Sequence, residues 1–441
     1  MARLHSERGI IVDTSTASKP GLREIMKTMN PTMKLLLAIV FIEMMAVNFY
    51  VSVLMPYYKS LGYESDAAGI VTSVVQVVSA LVLFGAGFAA DKIGRRQLYR
   101  TGQVMRCLAA ASLLLTRSYA GLLLVSCFRG LSAIQSPAQN AIIAGYTHKG
   151  SRATTLALSQ TFGQLASFLV PVAAGTLADR VGVKVPFSLG LALAVLAVML
   201  GLRVREAGGA EATVDRAAAH EAPKEEAENP LPPPRESYYA RVKSMFTENN
   251  GRVLWTVLAA ELANGLANGA TNILLPYTIM DRFSPEYSAV SGMQAAGALG
   301  TMLVLLIGGR IADTYGRKGI VAVSSMVFPT ALISIFFITS LWQMYAMLMV
   351  VVMLGNISSP AISAIHLEVV REKDRASFSG LSGGVNAASI ALGSAIAGFV
   401  YSANADLAWA SVIALFLAGG LMYWRAVYRQ EKDAGVLHAS P

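Results

Sequence analysis

Charge is what this 441-residue chain is shortest of: only 14% of its residues are Asp, Glu, Lys or Arg, against 54% hydrophobic. That balance excludes an ordinary soluble domain of this length. Cysteine is almost missing. Cys107 and Cys127 both sit in apolar runs, so neither a disulfide framework nor a thiolate metal cluster is available. Histidine is scarce as well, five in all, and only His366 falls deep in an apolar run, so a multi-histidine metal box is lacking. No Gly-x-x-x-x-Gly-Lys-Ser/Thr stretch occurs, which leaves ATP-driven work by this chain unsupported. No lysine stands in the middle of an apolar run, which disfavours a respiratory proton-channel subunit. Residues 1–33 contain no long apolar core, and Gly9–Val12 is too short for a signal peptide. These absences argue against an enzyme and against any bound cofactor or metal.

What the chain does have is long apolar runs. They lie near 34–57, 68–90, 98–116, 119–145, 153–178, 184–203, 252–281, 288–312, 319–339, 342–370, 374–402 and 405–428. Each has the length of a membrane-crossing helix, and the lipid bilayer is therefore the chain's first partner. The formal charge of +9 would suit a nucleic-acid partner, but no segment forms a compact basic domain, and cytoplasmic loops of membrane proteins collect Lys and Arg anyway. No nucleic acid is expected. Loops on the side of the N-terminus hold about a dozen Lys and Arg, among them Lys92, Arg100, Lys149 and Arg371. The opposite loops offer Lys59, Arg117, Arg180, Lys184 and Arg282. This bias places both termini in the cytoplasm of a plasma-membrane protein. Between the sixth and seventh runs the composition changes sharply. Glu221, Glu225, Glu226 and Glu228 precede Pro230-Leu-Pro-Pro-Pro234, which marks a solvated linker. The expected organisation is an N-terminal tail (1–33), a first six-helix bundle (34–203), a linker (204–251), a second six-helix bundle (252–428) and a C-terminal tail (429–441).

A ten-residue stretch occurs twice. Gly87-Phe-Ala-Ala-Asp91-Lys-Ile-Gly94-Arg95-Arg96 returns 222 residues later as Gly309-Arg-Ile-Ala-Asp313-Thr-Tyr-Gly316-Arg317-Lys318. Ser151-Arg152-Ala153-Thr154 is echoed by Asp374-Arg375-Ala376-Ser377 at nearly the same offset. Two landmarks in one register, each at a helix boundary, indicate a duplicated helical bundle. In each copy of the hairpin the first glycine allows close helix approach and the second a tight turn. A carboxylate such as Asp91 or Asp313 suits a helix N-terminus, where unpaired N–H groups and the dipole favour an anion.

The pattern Gly-x-x-x-Asp-x-x-Gly-Arg-Arg/Lys between the second and third helices resembles the signature loop of the major facilitator superfamily. The likeness covers about residues 34–428. It implies an all-α membrane protein of twelve transmembrane helices in two pseudo-symmetric six-helix bundles. It also implies that Asp91 meets the helix starting near Asp374, that Asp313 meets the one starting near Ser151, and that these loops latch the cytoplasmic side. The family's binding site lies near the midplane, lined by helices one, four, seven and ten.

Those four spans carry the polar residues that matter, since ionisable groups inside a span are costly and functional candidates by default. The first holds Glu43, Asn48 and Tyr50. The fourth holds Arg129, then Ser132, Ser136 and Asn140 at helical spacing, with Gln135 and Gln139 bordering them. The seventh holds Glu261, Asn264, Asn268 and Asn272, and the tenth Asn356, Ser359, Ser363 and His366. Asn and Ser also glue helices together. An unpaired carboxylate at this depth is neutralised, which suits Glu43 and Glu261 to carrying protons. Arg129 stays charged, and either pairs with Glu43 or meets an anionic or hydrogen-bonding solute. In the fifth span Val170-Pro171-Val-Ala-Ala-Gly175 resembles a degraded Gly-Pro motif of drug–proton antiporters. The reading is a monomeric, proton-coupled secondary transporter of a small organic solute, inclined to efflux. An importer of a sugar or organic anion, or a non-transporting sensor on the same fold, are the alternatives.

Overall fold

The computed structural model describes residues 31–146, 152–203, 246–247, 251–315, 317–357, 362, 370–371 and 375–438. Among the described residues, twelve helical rods follow one another. In the first half they are α1 (Pro31–Val51, continued by a short helix Leu54–Ser60), α2 (Ser65–Ile93), α3 (Arg95–Leu115), α4, α5 (Arg152–Val181) and α6 (Lys184–Gly201). In the second half they are α7 (Gly251–Arg282), α8 (Tyr287–Tyr315), α9 (Arg317–Leu332), α10 (Leu341–Ile357), α11 (Arg375–Ala403) and α12 (Ala405–His438). Rod α4 is composite: Tyr119–Leu131, a 3-10 turn at Ser132–Ile134, then Gln135–Gly145. No strand occurs among the described residues.

Six stretches of the described residues are long and apolar enough to cross a membrane: Pro31–Ser60, Ser65–Leu83, Leu158–Val181, Lys184–Gly201, Gly380–Ala403 and Ala405–Ala426. Met326–Phe336 and Leu341–Ile357 are shorter apolar helices. On two of the remaining rods polar groups lower the hydropathy: Arg95, Arg96, Arg100 and Arg106 on α3, and Glu261 with three asparagines on α7.

Local chemistry sets the boundaries. Gly94, at a φ of 89°, makes the turn between α2 and α3, in the left-handed region open to glycine. Ser118 caps α4 by accepting from the Gly121 N–H. The 3-10 turn inside α4 has a cause four residues on: Pro137 has no N–H, and its ring crowds the carbonyl of Ala133. Gly316 lies outside the described residues, as do the side chains of Asp91, Arg95, Asp313, Arg317 and Lys318. Ser151 and Asp374, which the hairpins were expected to meet, also lie outside them, as do most of the linker and residues 1–30.

The two halves meet at the end away from the Gly94 turn, hereafter the far end. There the apolar core is continuous: Phe49, Tyr58 and Phe187 of the first half share one cluster with Ile273, Tyr277 and Trp409 of the second. Towards the Gly94 turn the core divides. Met33, Leu36, Leu98 and Ile142 form a cluster wholly in the first half, and Val253, Leu254, Phe378 and Tyr423 one wholly in the second.

Polar bonds follow the same division. At the far end Lys59 pairs with Asp281, and Tyr277 Oη donates to the Tyr63 carbonyl at 2.9 Å. The Asp179 carboxylate accepts the N–H groups of Tyr287 and Ser288, at 2.8 and 2.9 Å, capping α8 from the opposite half. Along the α2–α11 seam Ser65 Oγ donates to the Gly398 carbonyl (2.8 Å) and Ser73 Oγ to that of Ala391 (2.6 Å). Nearer the Gly94 turn, a Cβ added at Gly380 or Gly383 of α11 would meet nothing within 4 Å. Among the described residues, the bonds and core shared by the two halves therefore lie at the far end.

Candidate functional site

Glu43, on α1, is 1% exposed and sits in a polar cluster built by three helices. From α3, Tyr99 Oη donates to Oε1 at 3.0 Å, Gln103 Nε2 donates to the same oxygen, and Arg106 Nη1 stands 3.5 Å from Oε2. From α4, Gln135 Nε2 donates to Oε2. Four donors thus meet this buried carboxylate, and its cationic partner is Arg106, so the expected alternative of a Glu43–Arg129 bridge is not what forms. The pairing follows from register: Tyr99, Gln103 and Arg106 step four then three along α3, onto one face.

Arg129 stands apart from that pair. Half-buried on α4, its guanidinium lies against the Tyr58 hydroxyl and near that of Tyr50. Tyr58 Oη is buried and has no partner of hydrogen-bonding geometry. Further along α4 the 3-10 turn changes the helical phase. Gln135 is therefore buried against Glu43, while Ser136 and Asn140 are exposed and Gln139 is half-buried. The stripe expected from Ser132 through Ser136 to Asn140 assumed an unbroken helix.

In the second half, Glu261 on α7 is half-buried between two helices. Asn386 Nδ2 of α11 donates to Oε2 at 2.8 Å, and Tyr423 Oη of α12 donates to Oε1. The asparagines that follow it are turned to different uses. Asn264 donates to the Ala260 carbonyl (3.0 Å) and packs on Gly419 of α12; Asn268 is exposed and donates to the Asn264 carbonyl (2.9 Å); Asn272 is exposed. Asn356 joins α10 to α8 through Thr301 Oγ1 (3.3 Å), and Asn48 joins α1 to α5 through Ser167 Oγ (3.1 Å). Tyr50 is part of the shared core. His366, Ser359 and Ser363 lie outside the described residues. Glu43 and Glu261 therefore have separate partner sets, one in each half.

Reading only spans one, four, seven and ten for polar residues passes over α3, α11 and α12, which supply most of the partners. The α3 stripe was visible at helical spacing; Asn386 and Tyr423 each stand alone in an apolar run, with no pattern to mark them. Among the described residues no group of three or more His, Cys, Asp or Glu side chains comes together to hold a metal ion.

The fold is that of known membrane transporters. The chain superposes on the nucleoside transporter NupG with a TM-score of 0.66 at 14% identity, covering 90% of this chain and 99% of that one. On the peptide transporter POT the TM-score is 0.71 at 15% identity, with 90% and 94% covered. A bacterial homolog of the human lysosomal transporter Spinster, in an inward-facing, unoccupied conformation, gives 0.66 at 16% identity, with 91% and 97% covered. At such identities the likeness shows the fold alone. No curated protein matches the chain in sequence. The sequence model of the Major Facilitator Superfamily, however, matches residues 36–260 and again 257–439, one copy on each half. With its duplicated bundles and paired hairpins, the chain belongs to the major facilitator superfamily.

Proposed function

We propose that the chain is a secondary transporter that moves a small organic solute by alternating access, coupled to protons through Glu261. The observation that carries this reading is the linkage of Glu261 to α11. Ionised, the carboxylate accepts from Asn386 on α11 and from Tyr423 on α12. Once protonated, one oxygen carries a hydrogen and becomes a donor, so that oxygen no longer suits a facing donor. Asn386 lies on the same helix whose other end forms the far-end seam with Ser65 and Ser73 of α2. Protonation at Glu261 thus bears on the helix that must move when the seam opens. Glu43, held by four donors including a guanidinium, instead ties α1 to α3 and α4.

With the hairpins cytoplasmic, the end where the described residues join the halves faces outward, which supports reading the structure as an inward-facing state. The inclination to export rests on the resemblance of Val170–Gly175 to the Gly-Pro motif of drug–proton antiporters; in the fold Gly175 lets α5 close on α8, where an added Cβ would come within 1.9 Å of Ser291 Oγ. A plasma-membrane location with both termini cytoplasmic rests on the asymmetry of loop charge. The test is reconstitution into proteoliposomes with an imposed pH gradient and a panel of sugars, amphipathic cations and organic anions. At least one solute is expected to move protons, and Glu261→Gln to abolish gradient-driven flux while retaining solute exchange. Solute flux indifferent to the gradient would remove the coupling, and wild-type behaviour in Glu261→Gln would remove that residue's part in it.

A further inference from the structure

Two apolar faces on the outside of the first half run up to one basic spot. There α3 packs on α4 and α6, and α6 on α1, α3 and α5, so the two helices are neighbours. On α6 the side chains of Leu189, Leu196, Met199 and Leu202 are exposed, and the step of seven from Leu189 to Leu196 leads on to Arg203, exposed as well. On α3, Val104 and Leu108 are exposed, and Arg100 stands one turn before Val104. In a bilayer such apolar stripes face acyl chains. Arg100 lies about 8 Å along the helix axis from Arg95, which puts it at the depth where headgroups give way to chains.

The arginines are drawn together at the end of α6. Arg96 and Arg100 both donate through Nη2 to the Leu202 carbonyl, at 3.3 and 2.8 Å, and Arg203 follows that carbonyl directly in the chain. Arg100 Nε is packed away from solvent, so its guanidinium is held in place. A carbonyl oxygen is a dipole and no counter-ion, and neither Arg100 nor Arg203 forms an ion pair with any described residue. Guanidiniums keep their charge at any working pH, and like charges one helical turn apart repel. A phosphate group relieves that repulsion and takes two N–H bonds from one fork. Phosphate above and acyl chains alongside belong to one kind of molecule, a phospholipid. A headgroup that carries its own cation would be repelled by these arginines, so the fit is to one of net negative charge.

We infer that the seam between α3 and α6 binds an anionic phospholipid, with its phosphate on Arg100 and Arg203 and its chains along Val104, Leu108, Leu196 and Met199. The site is independent of any solute or proton movement. The full-length protein, washed free of lipid in neutral detergent, is melted with dioleoyl phosphatidylglycerol, with dioleoyl phosphatidylcholine and with inorganic phosphate. Phosphatidylglycerol is expected to raise the melting temperature by about 2–4 °C over phosphatidylcholine, and inorganic phosphate to leave it unchanged. That excess shrinks in Arg203→Gln and disappears when Arg100→Gln is added. Lys184→Gln removes the same charge from the opposite end of α6 and keeps the full excess. Arg203 is exposed, so its variant stays informative even should Arg100→Gln lose stability along with its bond to Leu202. Equal shifts with the two lipids overturn the site. So does an excess undiminished in Arg203→Gln, or one that falls as far in Lys184→Gln, which would report bulk charge alone. An equal shift with inorganic phosphate overturns the lipid as the ligand, since the chains would then contribute nothing.

Discussion

Two glutamates at membrane depth look alike in the sequence and differ in what surrounds them. Glu43 accepts from Tyr99, Gln103 and Gln135 and pairs with Arg106, so its removal strands a buried cation and three polar side chains at once. Breaking such a pair costs about 3–5 kcal/mol. Glu43→Ala should therefore unfold at much lower denaturant or temperature than wild type. Glu261→Gln keeps a polar group of the same size between Asn386 and Tyr423, and should lie within about 1 kcal/mol of wild type. Comparing the two variants by thermal unfolding in one detergent checks the contrast; equal losses would contradict it. The positions of both glutamates were legible, because a carboxylate inside an apolar run is conspicuous. Their different roles were not, because these depend on Arg106, Gln103, Asn386 and Tyr423, which come from helices distant in sequence. Arg129 shows the limit most clearly, since spacing alone left Glu43 open as its partner.

At the scale of helices, the same residue type serves two different contacts on α11. A Cβ at Gly393 would come within 2.1 Å of the Leu266 carbonyl oxygen, inside the second bundle, and one at Gly269 within 2.1 Å of that of Ile390. A Cβ at Gly69 would come within 2.5 Å of the Ser394 carbonyl oxygen, and one at Gly398 within 2.3 Å of that of Ser65, across the seam between bundles. Backbone atoms cannot swing aside, so each substitution forces helices apart. Gly393→Ala should thus cost bundle stability, about 1–3 kcal/mol by thermal unfolding. Gly69→Ala should instead leave the bundles intact and favour the state open at the far end. A reporter for this is Ser291→Cys, buried where α8 meets α5, in a background with Cys107 and Cys127 changed to Ser. Labelling by a membrane-impermeant thiol reagent should rise in Gly69→Ala and stay at its reference level in Gly393→Ala. The twelve rods themselves were readable from run length. The break in α4 was readable in principle from Pro137, but periodicity counting carries a helix straight through it, and so did not single out Gln135 as the α4 partner of Glu43.

For the molecule as a whole, duplication was the most legible feature, since the repeated hairpin fixes two similar halves before any coordinate is known. Which end is closed could not be read, because opposite states use one sequence and differ only in which surfaces meet. The far-end ion pairs, Lys59–Asp281 and Arg282–Asp406, are partly exposed and contribute little. The shared apolar cluster, with Asp179 seated on the start of α8, does more to hold that end. This arrangement bears on the peptide link between the bundles. Two separate polypeptides, one ending and the other beginning within 204–250, would still find each other through Tyr58, Phe187, Tyr277 and Trp409. Co-expressed with an affinity tag on one piece only, the untagged fragment should co-purify at about equal stoichiometry. Its absence from the eluate would mean that the tether, rather than the mutual burial of those rings, keeps the transporter in one piece.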